Sequence, residues 1–598
     1  MKRKSIFIIK LVVLASFIVL LLRLFYLQII KGDFYLNQAN NNTLRRTFSS
    51  ATRGKIYSMD GELLAENKSS FYVALLPGEL NKLEQILPEL GALLNISPQR
   101  IRNKLNNSTY SLYTPVKIKD RLTFEEFAQI VEKFSNYEGV EVGVEPLRYY
   151  PKGEIFAHTV GYVGAISEEE YSVWEAKGYM PWEIIGKDGI EYSYEGYLHG
   201  KKGVKEFEVD ATGYMVKLLQ SRDPIPGDSI YLTLEPSLQE TAYKYLSQTI
   251  QELDPMGNER TSGTVIMLDI QSGAIKVMVN YPSFDPNLFI KGVSKKEYQK
   301  LIEDPRKPLF NRAIAGLYPP ASTFKLVTGI GALEEQLISP YEDQFYCPGY
   351  FKIGNQEFLC WQKYGHNYLN FNEALAQSCD VVFYQLGYRL GWMKLKYYAE
   401  KMGLGRITGI DLPGESPGLI PDEKWKIKNL KEPWYPGDTV NISIGQGFLE
   451  VTPLQASILV TAVANGGYLV KPYLVQEIHS SDGKIIYSHQ PVERNTGISP
   501  QTLEIIREGM LTAVEKGTAQ RAKSIDIKVA GKTGTVENSP SAENPYGRNH
   551  TWFVGFAPYE NPQIVICVFL EKSGGHGGDV ATPLAGEILK AWLAESKK

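Results

Sequence analysis

At 598 residues the chain exceeds what one ordinary hydrophobic core supports, so several domain-sized units are expected. With 43% hydrophobic and 22% charged residues, and 64 basic against 67 acidic side chains, it reads as folded and nearly neutral, which excludes a polybasic nucleic-acid binder. The 53 glycines and 33 prolines are scattered, so no low-complexity linker is expected between the units.

The first element is a membrane anchor. Lys2, Arg3 and Lys4 precede a largely apolar stretch over residues 5–30, uncharged from 11 to 22. About 20 such residues, at about 1.5 Å each, cross a hydrocarbon core about 30 Å thick. Lys10 and Arg23 stand at the two ends of the central run, where long side chains reach the interfaces. A cleaved signal peptide is the alternative, but no small-x-small site follows before bulky Leu24, Phe25 and Tyr26. Residues 1–30 are therefore expected to form a retained single-pass anchor, with the basic tip in the cytoplasm and everything later outside.

No later run is long and apolar enough to span a membrane, so any chemistry is expected outside the cell. Asp60-Gly61, flanked by residues 53–57 and 62–65, predicts a β-hairpin close to the membrane. Residues 81–135 read as mostly helical, with Leu83, Ile86, Leu87, Leu90 and Leu94 on one face and Pro88 kinking or splitting the first helix. Residues 31–224 carry no catalytic cluster and are read as a mixed α/β pedestal.

The pattern changes near residue 225. A strand over 229–234, a helix over 237–253 and strands over 264–269 and 274–280 open a second large domain, 225–598. Helical stretches dominate to about 520, and strands are expected at 525–530, 551–557 and 564–571. Strands from both ends around a helical middle predict one α+β domain.

The chemistry lies in that domain. Ser322-Thr323-Phe324-Lys325 follows Pro319-Pro320, so a helix is expected to begin at about Ser322 and to set the serine hydroxyl beside the Lys325 amine at i, i+3. A serine hydroxyl needs an adjacent base to act as a nucleophile, and a partly desolvated lysine can supply one. The spacing alone is weak, since Ser481-Asp482-Gly483-Lys484 repeats it in what reads as a solvated turn. Its company is not weak: Ser378-Cys379-Asp380 follows 56 residues after Ser322, and Lys532-Thr533-Gly534-Thr535 follows 154 residues later, at the end of the strand expected at 525–530.

These three signatures, in this order, resemble those of the penicillin-binding protein and serine β-lactamase superfamily. Tyr281-Pro282-Ser283-Phe284-Asp285-Pro286-Asn287 and Gly445-Gln446-Gly447 extend the resemblance, and Arg53-Gly54-x-Ile56 with Gly189-Ile190-Glu191 resembles the pedestal motifs of class B, monofunctional members. The resemblance implies a peptidoglycan D,D-transpeptidase, penicillin-sensitive, in which Ser322 is acylated and Lys325 is its base. It makes Ser378 a proton relay and Lys532 an electrostatic tuner, with Thr533 and Thr535 helping to hold the substrate carboxylate. It sets the oxyanion hole at the N–H groups of Ser322 and Thr535, and explains Gly534 by close approach of the peptide to the strand edge.

The second motif usually ends in Asn; Asp380, when ionised, only accepts hydrogen bonds. That aspartate, with Tyr318-Pro319-Pro320, resembles the elongation-type subgroup, penicillin-binding protein 2 of rod-shaped bacteria. The subgroup implies peptidoglycan stem peptides as substrate, β-lactam antibiotics as covalent ligands, and elongation-complex partners including a RodA-type membrane glycosyltransferase that contacts the anchor and residues 53–65. A division-type class B enzyme, a hydrolytic carboxypeptidase and a non-catalytic activator of such a polymerase are the rivals; intact Ser322, Lys325, Ser378 and Lys532 argue against the last.

No cofactor is expected for catalysis. Cys347, Cys360 and Cys379 frame His366 with 12, 5 and 12 residues intervening, a set able to supply Cys3His ligands to a structural zinc. A Cys347–Cys360 disulfide is the rival in an oxidising compartment. Zinc is favoured because the disulfide leaves a third cysteine free, and because some elongation-type enzymes that the chain resembles carry zinc at the matching place. Cys567, in an apolar strand, is read as a buried thiol.

Overall fold

The computed structural model describes residues 2–33, 44–106, 115–181, 183–209, 215–524 and 526–597. The chain forms two compact units that alternate in sequence: residues 1–53, 67–147 and 199–227 make the smaller, and residues 54–66, 148–198 and 228–598 the larger.

In the smaller unit the helix Lys2–Phe25 continues as a wider turn, Tyr26–Ile30. Residues 6–30 are long and apolar enough to cross a membrane, the one such helix among the described residues, and its apolar side chains are exposed along its whole length. By length and composition this helix fits a single-pass membrane anchor. The expected apolar face at 83–94 is realised: Leu83, Ile86, Leu87, Leu90 and Leu94 are all buried in one core with Val73, Leu75, Ile130 and Phe134. Pro88 does not kink a helix but opens one, Leu87–Leu94, where a first-turn proline gives up no hydrogen bond. The helical reading of 81–135 fails at Val116–Leu122, a strand paired with the segment 71–75, because Ile118 and Leu122 each need a partner on the core side of a sheet. The next helix, Phe124–Phe134, starts at a Thr123/Glu126 capping box.

The larger unit includes the expected hairpin, with Ile56 opposite Ala65 and Tyr57 opposite Leu63. Its first strand also pairs in parallel with Ser229–Leu232. Arg148, which carries no sequence motif, ties the two pedestal motifs together: its Nε donates to Glu191 Oε1 at 2.6 Å and its Nη1 to the Gly54 carbonyl at 2.7 Å, all buried. Gly161 admits the Asp188–Gly189 backbone that leads into Glu191, since a Cβ there would sit 1.8 Å from the Asp188 carbonyl oxygen.

The catalytic body is a five-stranded antiparallel sheet. Its strands are β1 (Ser262–Asp269), β2 (Ile275–Tyr281), β3 (Ala530–Val536), β4 (His550–Ala557) and β5 (Ile564–Glu571), in the spatial order β2-β1-β5-β4-β3. The continuous apolar runs of β4 and β5 have a plain cause: both faces are covered. Helices α1 (Pro236–Leu253) and α6 (Ala581–Ser596) lie on one face, with Leu238, Leu246, Ile588 and Leu589 in the core. On the other lies α4 (Pro453–Ala464), which is buried on every side and accordingly carries no charge. Three further helices bear on the site: α2 (Lys325–Glu334), α3 (Asp380–Leu390) and α5 (Pro500–Glu515). The observed architecture is the expected α+β catalytic domain, with one correction at β3. The strand begins at Ala530 and runs through Val536, so Lys532, Thr533, Gly534 and Thr535 lie inside it and not beyond its end; Ile525, where the strand was expected to start, lies outside the described residues. The register from Ala530 opposite Phe556 to Val536 opposite His550 holds these residues in the sheet, because β4 supplies a ladder that carries the strand past Lys532 and Gly534, whose own propensities oppose it.

Candidate active site

Ser322 sits on a tight turn, not on the first turn of an α-helix. Ala321–Phe324 is a 3-10 turn and α2 starts at Lys325, three residues later than expected. The reason is the backbone before it: Pro319 and Pro320 are followed by Ala321 at φ +49°, a left-handed conformation that an L residue adopts only when its surroundings impose it. Those surroundings are identifiable. The Ala321 N–H donates to the Gly445 carbonyl at 2.8 Å, Tyr318 and Val451 exchange backbone bonds, and the Trp552 indole donates to the Pro319 carbonyl at 3.1 Å. Gly445 is required here, since a Cβ would stand 2.0 Å from the Ala321 carbonyl oxygen and its own φ is +77°.

Lys325, at the start of α2, is fully buried and its ammonium is held on three sides. It donates to Asp380 Oδ1 at 2.7 Å, to the Ser378 carbonyl at 2.8 Å and to Ser378 Oγ at 3.2 Å. Among the described residues it makes no hydrogen bond to Ser322 Oγ, and Ser322 is half-buried. From the opposite side the buried Lys532 donates to Ser378 Oγ at 2.9 Å and to the Thr533 carbonyl at 3.1 Å. The Ser378 hydroxyl thus joins two lysines, one from a helix and one from a strand. Burial, and then the charge on Lys325, push the Lys532 amine well below its usual pKa. Asp380 is the counter-charge: Oδ1 takes the Lys325 proton donor and Oδ2 the Trp361 N–H at 2.9 Å, so both oxygens of this acceptor-only group are used. The aspartate also opens α3, where the helix end favours a negative side chain.

Strand alternation explains the third motif. Lys532 and Gly534 share one face of β3, and while Lys532 reaches Ser378, a Cβ on Gly534 would meet the Pro320 oxygen at 3.2 Å and Thr323 Cγ2 at 3.3 Å. Gly534 therefore lets the strand pack on the nucleophile turn. Thr533 and Thr535 face the other way: Thr533 Oγ1 shares a 2.7 Å hydrogen bond with Thr518 Oγ1, and Thr535 Oγ1 accepts the Gly577 N–H at 3.0 Å. Among the described residues β3 pairs with β4 alone and ends the sheet, leaving one edge of its ladder open. An open edge beside a nucleophile is where an extended peptide can add as a strand.

The structure also gathers the cysteine cluster. Cys347, Cys360, His366 and Cys379 bring their donor atoms within 4.8 Å of one another, with His366 Nδ1 3.7 Å from Cys347 Sγ and 3.6 Å from Cys360 Sγ. All four cysteines of the chain are free thiols, Cys567 lying apart in β5. A tetrahedral zinc with sulfur ligands at about 2.3 Å sets its ligands about 3.8 Å apart, so this donor set fits a closed structural site. Hydrogen bonds from Cys379 and His366 hold the Cys360 thiol below its usual pKa, while the bond to Cys360 raises Cys379 and burial raises Cys347.

A model of the penicillin binding protein transpeptidase domain matches residues 263–590, and one of the penicillin-binding protein dimerisation domain matches residues 48–232. The chain belongs to the penicillin-binding proteins. It is 33% identical over 598 residues to the peptidoglycan D,D-transpeptidase MrdA of Acinetobacter baumannii, covering 98% of this chain and 87% of that one. It superposes with a TM-score of 0.78, at 28% identity, on penicillin-binding protein 2 of Helicobacter pylori solved in complex with MreC, covering 92% of this chain and 99% of the other. A structure described as a peptidoglycan synthase complex coordinating polymerization and crosslinking is similar at a TM-score of 0.73 and 29% identity over 98% of both chains. Within the family the chain is a class B member of the penicillin-binding protein 2 type.

Proposed function

We propose that the chain is the D,D-transpeptidase of lateral wall elongation, acting through a Ser322 acyl-enzyme, with residues 1–30 as anchor, 31–224 as pedestal and 225–598 as catalytic domain. The observation that carries the reading is the single Ser378 hydroxyl hydrogen-bonded to both buried lysines, of which Lys325 follows Ser322 by three residues.

Burial and the charge on Lys325 both disfavour a proton on Lys532, so the two amines share one between them. Because Ser378 Oγ touches both amines, Lys325 passes its proton through that hydroxyl to Lys532 and becomes neutral. Lys325 then takes the Ser322 proton as Oγ attacks the penultimate D-Ala carbonyl of a stem pentapeptide laid along the open edge of β3. The oxyanion is received by the N–H groups of Ser322 and Thr535, while the newly cationic Lys532 attracts the terminal carboxylate from one face of β3 and the Thr533 and Thr535 hydroxyls, on the other, help to hold it. The peptide C–N bond breaks, Ser378 gives its proton to the departing D-Ala amine and is reprotonated by Lys532. An amine from a neighbouring stem attacks the ester, its proton passing to the same lysines, and Ser322 leaves with its hydroxyl restored. A β-lactam enters by the first half of this sequence and stops at the ester.

A zinc ion held by Cys347, Cys360, His366 and Cys379 is a structural crosslink, since four protein ligands leave no position for water. Cys379 lies between Ser378 and Asp380, so order in this cluster is order in the relay. The basic tip of the anchor keeps the N-terminus in the cytoplasm, and the partner is a RodA-type polymerase within the elongation complex, met through the anchor and residues 53–65. The test is product analysis: the full chain, supplied with uncrosslinked glycan bearing pentapeptide stems, releases one D-Ala for each crosslink formed. D-Ala release with no crosslinks, with the polymerase present, contradicts transpeptidation.

A further inference from the structure

We infer that Trp361 is a positioning residue for acyl transfer, acting through Ser378 and Asp380; the inference rests on the functional reading above. Ser378 has φ +56°, in the left-handed region that glycine fills at no cost, yet glycine would lack the hydroxyl that bridges the two lysines. A strained serine persists only where neighbours hold it, and its carbonyl shows how. That oxygen accepts the Lys325 ammonium at 2.8 Å and the Trp361 indole Nε1–H at 3.2 Å, and the same indole reaches the Gln377 carbonyl at 3.1 Å.

Trp361 grips the motif at a second point, since its backbone N–H donates to Asp380 Oδ2, the oxygen not used by Lys325. One residue therefore touches both the residue before and the residue after Cys379, and orients the hydroxyl relay and the counter-charge together. Its ring is half exposed, so the contact that sets it apart is the N–H and not burial. His366, edge-on at 5.3 Å between centroids, packs beside the ring, and Cys360 precedes it in the chain, so the cysteine cluster fixes the base of this clamp. The role differs from that of a metal ligand: the indole holds the backbone carbonyl of the relay serine itself.

The test replaces Trp361 in the full chain with benzothienylalanine, which keeps the bicyclic ring and exchanges only N–H for sulfur, and in parallel with Phe. Acylation by a fluorescent penicillin is resolved into the binding constant and the rate of ester formation, alongside the labelled fraction and the melting temperature. In both variants the rate of ester formation is expected to fall about tenfold, the equivalent of one lost hydrogen bond, with the binding constant, final labelled fraction and melting temperature unchanged. A rate within twofold of the unmodified chain overturns the inference. So does a lower labelled fraction and melting temperature with an unchanged rate, which is a structural role alone. An unmodified chain that is not acylated at all overturns the functional reading itself, and is read from the control.

Discussion

Lys532 Nζ lies 2.9 Å from Ser378 Oγ, inside a pocket where the amine is fully buried and faces a second lysine. Its charge is therefore opposed by the fold and useful to the reaction. Lys532→Met should abolish acylation while leaving the melting temperature equal or higher. Because folding depresses this amine, the unfolded chain binds the extra proton, and this group makes stability rise with pH from the folded pKa up to about 10.5, the range that is lost on titration downward. The variant should lose that part of the alkaline rise, as followed by thermal melts across the pH range.

Asp380 is the counter-charge of a lysine with no exposed surface. Asp380→Ala leaves Lys325 buried without a counter-charge and should cost about 3 kcal/mol, the usual penalty for breaking a buried pair from one side. Denaturant melts and penicillin labelling should fall together. Asp380→Asn keeps the shape and should retain more of both.

Gly445 abuts the turn that carries the nucleophile. In Gly445→Ala the new methyl meets the Ala321 carbonyl oxygen and the residue's φ of +77° is strained, so about 2 kcal/mol of stability and most of the acylation rate should be lost. Gly414, with a similar φ of +78° and no atom within 4 Å of its Cβ, is the control: Gly414→Ala should carry the backbone strain alone and keep its acylation rate.

The cysteine cluster should hold one zinc per chain in protein purified without chelator, measured by elemental analysis. Replacing Cys360 and His366 together by Ala should remove the metal and slow acylation. A native mass spectrum with a Cys347–Cys360 disulfide and no metal contradicts the zinc assignment.

Much of this site is legible in the amino-acid sequence, and the illegible parts share a cause. The Ser322 and Lys325 spacing and the apolar runs of β4 and β5 are local patterns that the sequence shows, but the 3-10 turn at Ser322 leaves Lys325 bonded to Asp380 and Ser378 and not to the Ser322 hydroxyl. Lys532-Thr533-Gly534-Thr535 reads as a strand end because Lys532 and Gly534 disfavour a sheet, although Thr533 and Thr535 suit one; the ladder with β4 carries the strand through all four. The start of α2 is displaced by Ala321, whose left-handed backbone is imposed by Gly445, far along the chain. Arg148 and Trp361 carry no motif of their own, and their roles lie in what they reach: Glu191 and Gly54 for one, Ser378 and Asp380 for the other. The cysteine spacing is open in sequence, and only the fold brings Cys347 and Cys379 to the same histidine loop.

The most direct test of the account is peptide mapping of the full chain after reaction with a fluorescent penicillin. The account predicts one covalent adduct, on the peptide that contains Ser322, and none on a Ser322→Ala chain that melts at the same temperature. An adduct on any other residue, or a folded Ser322→Ala protein that still takes the label, contradicts it.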